Sequence, residues 1–159
     1  MKRILLITFL LFSLLLNACN NNGVDGPDNK GPAFKDGVVN QMSTQMFNKL
    51  IWDYKANPKE FTFSGDIPVI IDFYADWCRP CKMVSPIMED LAKEYKGKVV
   101  FYRINIDDER ELAQMFNIQS IPSLLYVPAN GKPQMSMGLS SKEDYIQKIN
   151  SLLLTQTNK

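Results

Sequence analysis

The stretch Ile67-Pro68-Val69-Ile70-Ile71-Asp72-Phe73-Tyr74-Ala75 constrains this chain more than any other, because a nearly continuous apolar run reads as a central strand covered on both faces. A strand of that kind needs packing above and below it, which points to a layered α/β sheet. The run leads directly into Trp77-Cys78-Arg79-Pro80-Cys81-Lys82. Two cysteines one helical turn apart can close a small ring without moving the backbone. A strand running into Cys-x-x-Cys at a helix start therefore points to thiol–disulfide chemistry.

The 159 residues contain no histidine, which removes the usual base for Ser/His or Cys/His catalysis, the commonest zinc ligand and the Cys-x-x-Cys-His haem attachment. With three cysteines, Cys19, Cys78 and Cys81, a four-cysteine zinc site cannot form within one chain. Cys78 and Cys81 thus read as a redox pair, and no metal is expected. Lys and Arg number 18 against 17 Asp and Glu, a formal charge of +1 that gives nucleic acid no electrostatic hold. An apolar share of 45% is enough for one packed core. Met42, Met46, Met83, Met88 and Met115 read as filler of that core rather than as copper ligands.

Residues 1–18 have the form of a secretory signal: Lys2 and Arg3 are basic, Ile4 to Leu16 are almost wholly apolar, and Ala18 is small at the cut. The apolar stretch falls short of the roughly 20 residues that span a bilayer. Leu16-Asn17-Ala18-Cys19 also resembles the bacterial lipoprotein cleavage box, which would make Cys19 a lipidated N-terminus. An ordinary signal peptide ending near a cysteine is the alternative. Both place the product outside the cytosol, in a bacterial periplasm. Removing Lys2 and Arg3 leaves a mature charge of −1. Residues 19–33 are rich in Asn, Gly, Pro and Asp and too poor in apolar side chains to order themselves, so they read as a flexible tether with a reach of roughly 20–25 Å. Residues 34–159 are left as the folded domain.

Within that domain, Phe34 to Gln41 supplies a short edge strand. Ser43 or Thr44 caps a helix bearing Phe47, Leu50, Ile51 and Tyr54, ended by Ala56-Asn57-Pro58. A second helix runs from Cys78 to about Lys96, interrupted by Pro86 and closed by Gly97. Val99 to Ile106 is a strand, Asp108 to Phe116 a short helix, and Leu124 to Val127 a strand that turns at Asn130-Gly131 into a hairpin partner ending near Gly138. Ser140-x-x-Glu143 or Ser141-x-x-Asp144 caps a last helix with Tyr145, Ile149, Leu152 and Leu153 inward. The order β-α-β-α-β-α-β-β-α gives two right-handed crossovers, then a hairpin and a helix: a mixed sheet with helices on both faces.

At the N-terminal end of its helix, Cys78 is where free N–H groups and the helix dipole favour a thiolate, so it reads as the nucleophile. Cys81, one turn further in and less exposed, suits the resolving role. Pro80 fits a first turn, where its missing N–H has no intrahelical partner. Asp72 is the odd residue of an otherwise apolar strand, and burial should raise its pKa toward neutrality. On strand alternation it shares a face with Ile70 and Tyr74, where it could take a proton from Cys81 directly or through a water. A carboxylate paired with a lysine at a sheet edge is the plainer alternative.

From about Asp66 to Leu153 the chain closely resembles the thioredoxin family. Asp72 to Met83 follows that family's active-site stretch, and Pro86 falls where its helix kinks. Arg103-Ile104-Asn105-Ile106-Asp107 resembles its next strand, Ile121-Pro122-Ser123 its cis-proline loop, and Gly138 its groove glycine. The resemblance implies a thioredoxin fold, a Cys78–Cys81 disulfide, and a cis Ile121–Pro122 bond facing Cys78 that pairs with an extended substrate segment, flanked by Trp77 and Gly138. Arg79 replaces the glycine usual between the cysteines, and its charge could lower the Cys78 pKa. Arg103 stands where a lysine is common. The segment from Asn57 to Gly65 lies outside the family pattern.

The resulting expectation is an exported, lipid-anchored protein-disulfide reductase that needs no cofactor. Its partners would be protein disulfide substrates, a membrane or soluble electron donor, and a membrane through the lipid anchor alone. Two alternatives stay open: a disulfide oxidase or isomerase of the same fold, and a binding module with idle cysteines.

Overall fold

A computed structural model of the chain describes residues 34–155. The signal segment, Cys19 and the tether lie outside the described residues. The elements follow in the order β1 (Val39–Gln41), α1 (Thr44–Leu50), β2 (Val69–Tyr74), α2 (Arg79–Glu94), β3 (Val100–Asn105), α3 (Arg110–Met115), β4 (Ser123–Val127), β5 (Gln134–Met137) and α4 (Lys142–Lys148), which continues as a π-helical segment Ile149–Leu154. The five strands form one sheet in the order β1-β3-β2-β4-β5. β3 runs parallel to both β1 and β2, whereas β4 is antiparallel to β2 and to β5. This is the mixed α/β sheet of the thioredoxin fold.

β2 is buried along its whole length, as a strand covered on both faces must be. Its side chains alternate between two cores. Val69, Ile71 and Phe73 join Phe47 of α1 and Leu112 of α3 on one face. Ile70 joins Val84, Met88 and Leu91 of α2, Tyr145 of α4, and Ile149 and Leu153 beyond it on the other. Asp72 and Tyr74 point to that second face, and Tyr74 packs with Ala75, Cys78 and Cys81 at its upper end.

Several local expectations need correction. Ser43 caps α1 by accepting the Met46 N–H, but the helix stops at Leu50 rather than at Pro58. The Trp52 N–H turns back to the Phe47 carbonyl, and the Asp53 carboxylate accepts the Lys55 and Ala56 N–H groups, so a short polar side chain competes for the backbone that would have continued the helix. Tyr54 therefore leaves the helix and packs with Trp52 and Phe61 against the core from the connecting segment. Met83 is not core filler: it is 55% exposed on the outer side of α2, while Met42 and Met88 are buried. The β4–β5 connection is longer than a tight Asn130-Gly131 turn, extending from Pro128 to Pro133 between the strands. At the last helix, Ser141 and Asp144 form the capping box. Helical periodicity does not signal the widened turns after Lys148, which keep Ile149 and Leu153 in the core.

Candidate active site

The site begins with how α2 starts. Cys78 is its N-cap, with extended backbone at φ −75° and ψ 107°, and Arg79 and Pro80 open the first turn. The Cys81 N–H donates to Cys78 Sγ at 3.2 Å. The sulfur thus occupies the place of a capping oxygen and receives one of the donors that a helix start leaves without an intrahelical partner. Cys78 and Cys81 are joined as a disulfide with Cα atoms 5.3 Å apart. Opening it would leave negative charge on a sulfur already placed at the positive end of a sixteen-residue helix.

The expected contrast in exposure between the cysteines is small here. Cys78 is 3% exposed and Cys81 1%. Tyr74 and Ala75 pack against both, with Ile106 and Ile121 partly buried around them. Both cysteines lie under these neighbours, so position on the helix rather than exposure distinguishes the two.

Facing the pair is the Ile121–Pro122 bond, which is cis. The Ile121 carbonyl oxygen lies 3.8 Å from Cys78 Sγ. The Pro122 carbonyl accepts the Gly138 N–H at 2.8 Å, which ties the loop to the end of β5. Gly138 has φ +85°, and a Cβ there would meet nothing within 4 Å, so the backbone conformation rather than space calls for glycine. Trp77 is 69% exposed, and its indole N–H donates to Asp107 at 2.8 Å. Together with Ile106, Ile118, Gln119, Ser120 and Ile121 it lines a groove of about 320 Å³ beside the cysteines.

Asp72 lies in the central strand, not at a sheet edge, and is 2% exposed. Burial raises its pKa from 3.8 to about 6, and the charge of Arg103 opposes the rise. Its Oδ1 has no hydrogen-bond partner among the described residues. Arg103 is its register neighbour on β3, yet the guanidinium stacks 3.5 Å from the centre of the Tyr74 ring instead of pairing with the carboxylate. Tyr74 is two residues further along the same face and touches the cysteine cluster, so Asp72 sits about 7 Å of strand from the groups packed on Cys81. A buried carboxyl left without a strong partner is suited to exchanging a proton near neutrality.

The fold thus gathers Cys78, Cys81, Trp77, Ile121, Pro122 and Gly138 at one end of the sheet, with Asp72 beneath them and Arg79 exposed on the first turn of α2. Sequence reasoning missed Asp107 as the anchor of Trp77, the stacking of Arg103 on Tyr74, and the groove residues Gln119 and Ser120. Asp107 carried the one usable signal, since it closes the strand segment that resembles the family. The others depend on strand register and loop path, which no local pattern reports.

The sequence profile of the Thioredoxin family matches residues 41–151. Thioredoxin of Borreliella burgdorferi is 45% identical over 95 residues, 60% of this chain and 80% of that protein. The chloroplastic M-type thioredoxin of Spinacia oleracea is 37% identical over 95 residues, and the match spans 52% of its length. Among solved structures, that of a chloroplastic thioredoxin z superposes with a TM-score of 0.58 at 22% identity, covering 71% of this chain and 92% of that one.

Proposed function

The chain belongs to the thioredoxin family and is a thiol–disulfide oxidoreductase, and from that premise we propose that it is an exported, lipid-anchored reductase of disulfides in proteins outside the cytoplasm. The observation that carries the chemistry is the Cys78 sulfur at the cap of α2, receiving the Cys81 N–H and lying beside the Ile121 carbonyl. Export and anchoring are supported by the basic and apolar character of residues 1–18 and by Cys19 directly after Ala18.

In this reading the reduced protein holds Cys78 as a thiolate, which attacks one sulfur of a substrate disulfide. The substrate's other sulfur leaves as a thiolate, and a mixed disulfide joins Cys78 to the substrate. Cys81 then gives its proton to Asp72 and attacks Cys78 Sγ. The second substrate thiol departs, two electrons have passed to the substrate, and the Cys78–Cys81 bond of the structure has re-formed. An external dithiol donor resets the pair. The substrate segment lies extended along Ile121-Pro122, pairing with the backbone as an added strand between Trp77 and Gly138. Arg79, beside Cys78, adds positive charge that favours the thiolate.

Insulin reduction tests the chemistry: Cys78→Ser should abolish turnover, and full retained activity would overturn the assignment. Equilibration with glutathione tests the direction. A reduction potential near the roughly −270 mV of thioredoxin itself is expected, while one above about −200 mV would mark an oxidant or isomerase. Cell fractionation and N-terminal mass test the anchor, which predicts a lipid adduct on Cys19 and release of Cys19→Ala from the membrane. An unmodified N-terminus in the parent protein would overturn it.

A further inference from the structure

Tyr145 is 1% exposed, yet its hydroxyl does not belong to the chemistry described above. The ring packs in the core under α2 and α4, alongside Ile70, Leu124 and Tyr126. A phenylalanine would fill that space equally well, so the hydroxyl needs its own explanation. It accepts the Ser140 N–H at 3.0 Å and lies 3.4 Å from the Gly138 carbonyl, to which it donates. Tyr145 is the fourth residue of α4, and helical side chains lean toward the N-terminus, so it reaches back over its own cap at Ser141. An apolar staple often closes a helix start between the residue before the cap and the fourth helical residue, here Ser140 and Tyr145. Here a polar one grips the backbone on both sides of Leu139.

That turn adjoins the reacting sulfurs. The Gly138 N–H is bonded to the Pro122 carbonyl, and Ile121, one residue before, has its carbonyl 3.8 Å from Cys78 Sγ. Leu139 is 45% exposed, and Met137, whose Cα pairs with Ser123, is 70% exposed. Isolated exposed apolar side chains are common, but these two stand on a backbone held at Gly138 by the proline loop and at Ser140 by a side chain rooted in the core. A contact group that is already immobile loses less freedom when a ligand meets it.

We propose that Tyr145 is a positioning residue for substrate: by holding Gly138 and Ser140, its hydroxyl fixes Leu139 as an apolar contact that selects disulfides with an apolar side chain beside the reacting cysteine. This rests on the reading that substrate lies along the Ile121–Pro122 loop.

The test uses two disulfide peptides that differ only in carrying Leu or Asp next to the cysteine, with the full chain as enzyme. The parent should show a KM about tenfold lower for the Leu peptide, the range expected of one apolar contact. Tyr145→Phe keeps the ring and removes the hydroxyl; it should cut that preference to less than about threefold while kcat stays within about twofold. Leu139→Ser changes an exposed residue and should do the same without touching the core. Equal KM values in the parent, or an undiminished preference in Tyr145→Phe, would overturn the inference and leave the reductase reading standing. So would a Tyr145→Phe defect confined to kcat with a displaced pH profile, because the hydroxyl would then be acting on Asp72, whose charge adds to the effect of burial in raising the Tyr145 pKa. Failure of the parent to reduce either peptide would overturn both.

Discussion

The two faces of β2 are built from alternate residues of one six-residue strand and serve different ends. Val69, Ile71 and Phe73 meet α1 and α3 in a core of apolar side chains and aromatic contacts, with Phe73 and Phe116 ring centres 5.6 Å apart. Ile70, Asp72 and Tyr74 meet α2 and α4, and on that side the sheet carries a buried carboxyl, an arginine stacked on a tyrosine, and the two cysteines. Both faces carry a buried apolar core, and the second also holds the reactive groups at its upper end. The chemistry is confined to one of two packed faces, half a turn about the strand from the other.

Substitutions on either face should therefore move different observables. The largest effect is expected on the chemical face: Cys78→Ser should lower disulfide reduction by more than about a thousandfold, while the reduced protein loses less than about 1 kcal/mol of stability. Phe73→Ala, on the other face, should cost about 3–5 kcal/mol in denaturant unfolding, because Phe73 is fully buried and leaves a cavity, yet turnover per folded molecule should be unchanged. Loss of turnover in step with loss of stability for both variants would erase the distinction.

Asp72→Asn should combine the two behaviours with opposite signs. The folded-state pKa of about 6 lies above the ordinary 3.8, so between those pH values the native protein keeps a proton that the unfolded chain has lost. Stability consequently falls as pH rises through that window and stays lower above it, by roughly 3 kcal/mol for a shift of about two units. The amide should remove this pH dependence and leave the protein more stable than the parent at pH 8, while slowing release from the mixed disulfide by about tenfold or more. Parallel urea titrations at pH 3.5 and pH 8 check the first part, and single-turnover kinetics the second. The smallest effect is expected at the rim, where Asp107→Ala frees the exposed Trp77 indole. KM for a protein disulfide should rise about two- to threefold with stability altered by about 1 kcal/mol or less.

Much of the fold was legible because its signals are local. The apolar run of β2, the stripe of Val84, Met88 and Leu91 on α2, and the capping serines each declare themselves within a dozen residues. The helix after Ser43 reads as too long for the same reason, since the apolar Tyr54 fits a helical stripe and only the Asp53 turn diverts it. Composition alone assigns Met83 to the core, while the turn of α2 points it outward.

By itself the amino-acid order determined that a strand buried on both faces delivers two cysteines to the start of a helix, with one acid set among apolar neighbours. Those features follow from spacing along the chain, where periods of two and of about 3.6 residues decide which side chains share a face. Only the tertiary structure decided that Arg103 lies across from Asp72 but stacks on Tyr74, that Asp107 anchors Trp77, and that Tyr145 grips the turn around Leu139. The first two join residues about thirty apart, and their geometry depends on parallel register and loop path. The third spans a few residues but needs the ring rooted in a core assembled from the whole sheet. Backbone periodicity is a short-range property; partner choice among polar groups is settled when the layers close.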